Sequence, residues 1–237
     1  MMVSPKGPGH PPPPPLSVRD NLPDLLSGAP QSWFPFGVPT VGEWQIPLIR
    51  APLVDDLPRA ATAFDRRGRA ADLGTTLLHF YVADRKLRTQ VLRPQRFVAL
   101  FEGAWGLCSP DFSIGAGMPL QDRVQAVWAN RAVGAYYQSR GLRVVPHIRW
   151  CDARDFDYCF LGVERGSAVA VSNHGCWRSA RLRQGFLAGL PVLLERIQPP
   201  VLFVHGTLDH PAFRRLGSAT EVVHLPPDRS RARDRAA

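Results

Sequence analysis

The sequence predicts an α/β protein built around a mostly parallel sheet of repeated βα units, and three observations carry that reading. Short, nearly continuous apolar runs recur from residue 77 onward. Longer helical patterns separate them. The runs are too densely apolar to have a water-facing side, which is the signature of strands covered on both faces. Strand, helix and strand in repetition mean parallel strands joined by crossovers. An open three-layer sheet is the first arrangement this order suggests. A partial or irregular β/α barrel is the alternative, because βα units in series leave closure undecided.

The elements follow in chain order. Ten of the 24 prolines fall in the first 35 residues, five of them in the run from Pro11 to Pro15. Proline runs favour extended polyproline II and pack no core, so residues 1–32 are read as a disordered arm. The stretch "GVPTVGEWQIPLIR" (37–50) is expected to pack on the sheet, as an edge strand. Strands are expected at 77–84, 106–113, 143–150, 167–174 and 201–206. Pro110 and Pro146 mark strand ends or bulges, since proline gives no N–H to a ladder.

A helix over 118–140 places Leu120, Val124, Val127, Trp128 and Ala135 on one face, with Pro119 in its first turn and Gly141 at its exit. A second, over 179–198, buries Leu182, Phe186, Leu190, Leu193 and Ile197 and is kinked at Pro191. Weaker helical patterns cover 87–101 and 155–163. The single α/β domain is thus expected over 33–225, followed by a disordered arginine-rich tail, 226–237.

Composition narrows the class. Hydrophobic residues make up 45% and charged residues 21%, as in soluble globular chains. No run reaches the roughly 20 apolar residues that span a bilayer, so no membrane partner is expected. Cys108, Cys151, Cys159 and Cys176 lack CxxC spacing and sit in or beside apolar segments, which with no export signal reads as a reduced, cytoplasmic protein. The net charge is +9, and only Lys6 and Lys86 are lysines. The terminal "DRSRARDRAA" accounts for little of that excess, so the domain itself is basic. A basic surface is either ordinary solvated charge or a nucleic-acid contact.

Parallel α/β proteins bind ligands beyond the carboxyl ends of their strands. The predicted strands end in Asp84; in Asp111 and Ser113; in Arg149, with Asp152 next; in Asn173 and His174; and in His205. From these, Asp111, Asp152 and His174 are the catalytic candidates, as acid–base groups. Arg149, Ser113 and Asn173 are the substrate-binding candidates, with Arg149 holding an anion. Asp84 and Asp111 are the candidate ligands of a divalent metal. Asp111 has a second reading as a turn-former after Pro110. His79 and His147 lie inside strands and read as packing residues.

Several classes are excluded. Gly115 and Gly117 resemble the start of GxGxxG, but Leu120 holds the third position, and there is no GK[ST]. A nicotinamide or flavin dinucleotide is therefore not expected. GxSxG is absent, and so are zinc-finger and ribonucleoprotein motifs.

The segments "LLHFYVAD", "SPDFSIGAGMPL", "WANRAVGAYYQSRGLRVVPHIRWCD", "DYCFLGV", "GSAVAVSNHG" and "FLAGL" come in a familiar order. From about 36 to 209 the chain resembles the bacterial, archaeal and phage family called domain of unknown function 4417. The resemblance implies an association with phages, plasmids and other mobile elements and a DNA-linked or element-maintenance role, while the residues themselves suggest either an enzyme or a nucleic-acid- or partner-binding accessory protein. It assigns no activity. Matching positions include His79, Asp84, Asp111, Ser113, Asn130, Arg131 and Asp152. Where the family reads two aspartates this chain has Ala83 and Asp84, and His205 stands in place of a tyrosine. Both departures weaken a metal site built on those positions.

Overall fold

The computed structural model describes residues 37–216 and 219–227. The arm expected over 1–32, and all but the first two residues of the expected tail, lie outside the described residues.

Nine short strands and five helices make up the described chain. A hairpin, β1 (Thr40–Val41) and β2 (Ile46–Pro47), is antiparallel. Four parallel strands follow, β3 (Ala60–Ala63), β4 (Thr76–His79), β5 (Gly106–Cys108) and β6 (Val144–Val145), paired in that order. A second parallel ladder holds β7 (Val169–Ser172), β8 (Val201–His205) and β9 (Glu221–Leu225). A parallel bridge between His147 and Ala170 connects the two ladders. Spatial order therefore follows chain order from β3 to β9, and the α/β class with a parallel sheet is as the sequence predicts.

The sheet is strongly curled. In a flat sheet β4 and β8, four strands apart, would stand about 19 Å from each other at the usual strand spacing. Here the His79 ring lies 5.3 Å from His205, and Tyr81, just past β4, stacks on His205 at 4.2 Å. Alternation along the strands agrees with this. Leu78, Leu107, Val144, Val169, Val171, Leu202 and Val204 belong to the large outer core shared with the helices. Their neighbours Leu77, Cys108, Val145, Ala168, Ala170 and Phe203 form a separate small core inside the curl. No β3–β9 pairing is found among the described residues. Of the two arrangements the sequence suggested, the irregular, incompletely closed β/α barrel is the one this order and curl describe.

The helices are α1 (Asp84–Leu92), α2 (Val98–Phe101), α3 (Leu120–Ser139), α4 (Ala180–Ile197) and α5 (Pro211–Arg214). Pro119 is the N-cap of α3, and Gly141 leaves the helix at φ 82°. Leu120 and Leu182, expected to be buried, are 51% and 40% exposed, because each lies in the first turn of its helix, beyond the covering elements. The rest of α3 is buried almost all round. The reason is the hairpin: instead of extending the sheet as an edge strand, it covers α3, and a Cβ on Gly134 would lie 2.4 Å from the Ile49 side chain. Pro191 sits inside α4. The helix expected at 155–163 is a single 3-10 turn, Ala153–Asp155, followed by turns. The pattern at 87–101 breaks at Pro94 into α1, a 3-10 turn and α2.

Candidate functional site

Side chains two residues apart on a strand point to one face. Above the inner layer of Leu77, Val145, Ala170 and Phe203, the next inward positions are His79, His147, Ser172 and His205. One step further are Tyr81, Arg149 and His174. The mouth of the curl at the strand carboxyl ends is thus lined with polar groups by simple register.

Asp111 is the hub. Only 6% exposed, it accepts two hydrogen bonds from Arg149 Nη1, both at 2.7 Å, and lies 2.8 Å from His147 Nε2. Burial alone would raise the Asp111 carboxyl, but Arg149 and His147 outweigh it and hold the group down to about 2. An ionised carboxylate only accepts, so a hydrogen bond at this contact calls for the proton on Nε2, and Nδ1 is then an acceptor. The Tyr81 hydroxyl lies 3.2 Å from that Nδ1. Burial above all, with the Cys108 thiol and the Asp111 carboxylate beside it, keeps the Tyr81 hydroxyl well above the usual phenol range and so protonated. Carboxylate, imidazole and phenol form one chain.

α3 fixes this chain from behind with two successive residues. Asn130 Oδ1 accepts from the Phe112 N–H at 2.9 Å, anchoring the loop that carries Asp111. Arg131, 1% exposed, donates to the carbonyls of His147, Cys159 and Leu161. Burial lowers its guanidinium to about 10. Ser109 Oγ accepts from the His147 N–H at 2.8 Å, so both sides of the Asp111–His147 contact are held by side-chain-to-backbone bonds.

A second pair borders the first. His205 Nδ1 lies 2.9 Å from Ser172 Oγ, which accepts from the His174 N–H at 3.4 Å. Burial, reinforced by the neighbouring His79 and His174, pushes His205 down to about 2, so its ring is neutral. The exposed His174 ring lies 5.5 Å from His205.

The predicted site residues divide accordingly. Asp111 and Arg149 meet directly, and His174 borders them through His205. Asp84 starts α1 and accepts from Ser113 N and Oγ, at 3.3 and 3.1 Å. Burial raises the Asp84 carboxyl against those bonds. Ser113 is therefore engaged with Asp84.

Asn173 is spent on structure: its Oδ1 accepts from Thr207 N–H and its Nδ2 donates to Thr207 O, clamping the loops after β7 and β8. The clamp needs Gly206, at φ 131°, since a Cβ there would stand 1.8 Å from Asn173 Oδ1. Asp152 caps the 3-10 turn at Ala153 and pairs with Arg154 and Arg123, whose bonds hold it down to about 2. It opens on a separate depression of about 290 Å³ beside α4, lined by Arg181, Gln184 and Gly185, rather than on the Asp111 cluster.

For the metal, Asp111 is already committed to Arg149 and His147. Among the described residues no group of three or more His, Cys, Asp or Glu is placed to hold one. His79 and His147, read from sequence as packing residues, stand inside the cluster, and Tyr81 was not singled out. The signal that marks them is their common inward register beside Asp111.

Among the described residues no helix is long and apolar enough to cross a membrane. The chain is similar to the Gene 1 protein of Mycobacterium phage D29, 34% identical over 171 residues, covering 72% of this chain and 63% of that protein. It is also 34% identical over 170 residues to the Gene 1 protein of Mycobacterium phage L5, covering 70% of this chain and 73% of that one. The match thus spans less than two thirds of the D29 protein. No solved structure matches. The family model described as Domain of unknown function (DUF4417) matches residues 38–224, nearly the whole described chain, and to that family, with its phage relatives, this chain belongs.

Proposed function

We propose that this protein is an acid–base catalyst acting on a substrate with an anionic group, at the carboxyl-end mouth of the curled sheet. The observation that carries the reading is the Asp111–His147–Tyr81 chain, with Arg149 on the same carboxylate. Arg149 uses only Nη1 for Asp111, and its side chain is 29% exposed, so its Nε and Nη2 donors are available to an oxyanion. Asp111 orients His147, and the Tyr81 hydroxyl, facing His147 Nδ1, stands at the end of the relay. When the Tyr81 oxygen takes a proton from the substrate, its own hydroxyl proton passes to His147 Nδ1, and the Asp111 carboxylate faces the imidazolium so formed. The phage origin of the relatives supports a role in such an element without naming a reaction.

The test has two arms. Inorganic phosphate and acetate are titrated by calorimetry into wild type and Arg149→Met, where binding should be lost in the variant. Imidazole ¹⁵N resonances are then compared between wild type and Tyr81→Phe, where only the His147 signals should move. Equal anion binding by Arg149→Met, or an unperturbed His147 in Tyr81→Phe, would sink the proposal.

A further inference from the structure

Basic side chains gather on consecutive segments at one end of the sheet, beyond the carboxyl ends of β3 and β4. At the opposite end the charges are mixed: Asp55 and Asp56, before β3, pair with Arg143, before β6, and Arg59 and Arg165 precede β3 and β7. The 3-10 turn Phe64–Arg69 directly follows β3 and presents Arg66, Arg67 and Arg69. α1 follows β4 and exposes Arg85, Lys86 and Arg88 in its first two turns. Lys86 Nζ pairs with Asp65, which ties this helix to that turn. Asp84, the first residue of α1, is bonded to Ser113, two residues from Asp111. The two basic segments therefore form one continuous rim that ends at the Asp111–Arg149 cluster. After β7 the same end adds exposed Arg178, Arg181 and Arg183.

We infer that this rim, Phe64–Arg69 with the start of α1, is a binding surface for single-stranded nucleic acid, and that the anion Arg149 takes is a backbone phosphate. The second half rests on the catalytic reading above; the first does not. Regularly repeated anions match a row of cations far better than one small anion does, since each neutralised phosphate releases counterions. The strand must also dip into a recess where Arg149 is less than one-third exposed. A flexible single strand does this, whereas a duplex with a persistence length of about 150 base pairs does not fold into it.

The experiment uses the full chain and a fluorescein-labelled 20-nucleotide DNA of mixed sequence, followed by anisotropy between 50 and 200 mM KCl. The variant Arg67→Ala/Arg69→Ala/Arg85→Ala/Arg88→Ala should lower the salt slope by about 3, at about 0.7 per lost contact, and weaken binding at least about tenfold. Each substitution is also made singly, so that one misfolded variant does not decide the result. Arg140→Ala, at the opposite end beyond α3, should change affinity less than about twofold.

Absence of binding at 50 mM KCl overturns the inference. So does an equal loss with Arg140→Ala, a preference for duplex, or tighter binding to phosphatidylserine vesicles. Loss on removing residues 228–237 with none from the rim variants overturns it as well. Phosphate titration of wild type and Arg149→Met separates the two readings. Phosphate bound through Arg149 with no oligonucleotide binding removes the inference alone. Oligonucleotide binding through the rim with no phosphate dependence on Arg149 removes the catalytic reading and the Arg149 half of the inference, and supports the rim.

Discussion

Replacing Asp111 by asparagine keeps the shape of the side chain and removes its charge. In the folded chain the carboxyl is held down to about 2, against 3.8 for the free group. At 1.36 kcal/mol per unit, that difference is worth about 2 kcal/mol. The group's folded pKa lies below its unfolded one, so this stability is present in full above pH 3.8 and is lost as pH falls through 2. Asp111→Asn should therefore lose about 2 kcal/mol at pH 7. For a domain of this size that lowers the melting temperature by roughly 4–8 °C. The difference from wild type should shrink as pH falls below 3.8 and approach zero only below about pH 2, where acid neutralises Asp111 in folded wild type too. Urea melts of both proteins from pH 7 to pH 2 measure it. A loss below about 0.5 kcal/mol at pH 7, within the range of an ordinary surface substitution, would refute the charged hub. A difference independent of pH would locate the effect in packing and refute the electrostatic argument.

Three further outcomes follow from neighbouring residues. His205 titrates near 6.5 in an unfolded chain and at about 2 here, so below pH 6.5 it should cost up to about 1.4 kcal/mol of stability per pH unit. His205→Gln should flatten that part of the stability–pH curve, and NMR should show the ring not titrating between pH 5 and 8. Arg131→Met leaves the buried carbonyls of His147, Cys159 and Leu161 without their donor and should cost about 3 kcal/mol or more; a loss under about 1 kcal/mol in chemical denaturation would contradict it. Gly206→Ala drives a Cβ into Asn173 Oδ1 at a positive φ, so it should lose at least about 2 kcal/mol and speed exchange of the Thr207 amide. Gly68→Ala, with nothing within 4 Å of its Cβ, is the thermal-melt control and should be nearly neutral.

Much of the fold is legible along the chain because burial on both faces leaves a local mark. The apolar runs at 77, 106, 143, 167 and 201 each contain a strand, and the two long helices carry their apolar spacing openly. The runs overestimate strand length: the apolar run continues past β4, but the ladder ends at His79 and the chain turns at Tyr81, where the Val82 N–H donates to the Phe80 carbonyl. β3, "AATA", and β9, "EVVHL", escape notice because one is built of small residues and the other breaks its three apolar residues with a histidine and opens on a charge. Asp111 and Arg149 are legible as residues just past strand ends. Asp152 also follows a strand, though further beyond β6 than Asp111 lies beyond β5, and its carboxylate is taken by Arg154 and by a capping box with Asp155. Asn173 is equally well placed and equally occupied, by Thr207.

The amino-acid sequence decides the class and the set of polar groups at one sheet edge, since each depends on spacing within a few residues. Which of those groups meet is decided only by the curl. A histidine facing inward on a strand reads the same whether the sheet is flat or bent: in a flat sheet His79 and His205 would be packing residues far apart. Curling the sheet places His79, Tyr81 and His205 in ring contact and sets His147 between Tyr81 and Asp111. That choice depends on contacts between strands more than a hundred residues apart. Small inward residues such as Ala61, Ala168 and Ala170 leave room for it, while the hairpin and α3 cover the outside, and no single segment encodes that balance.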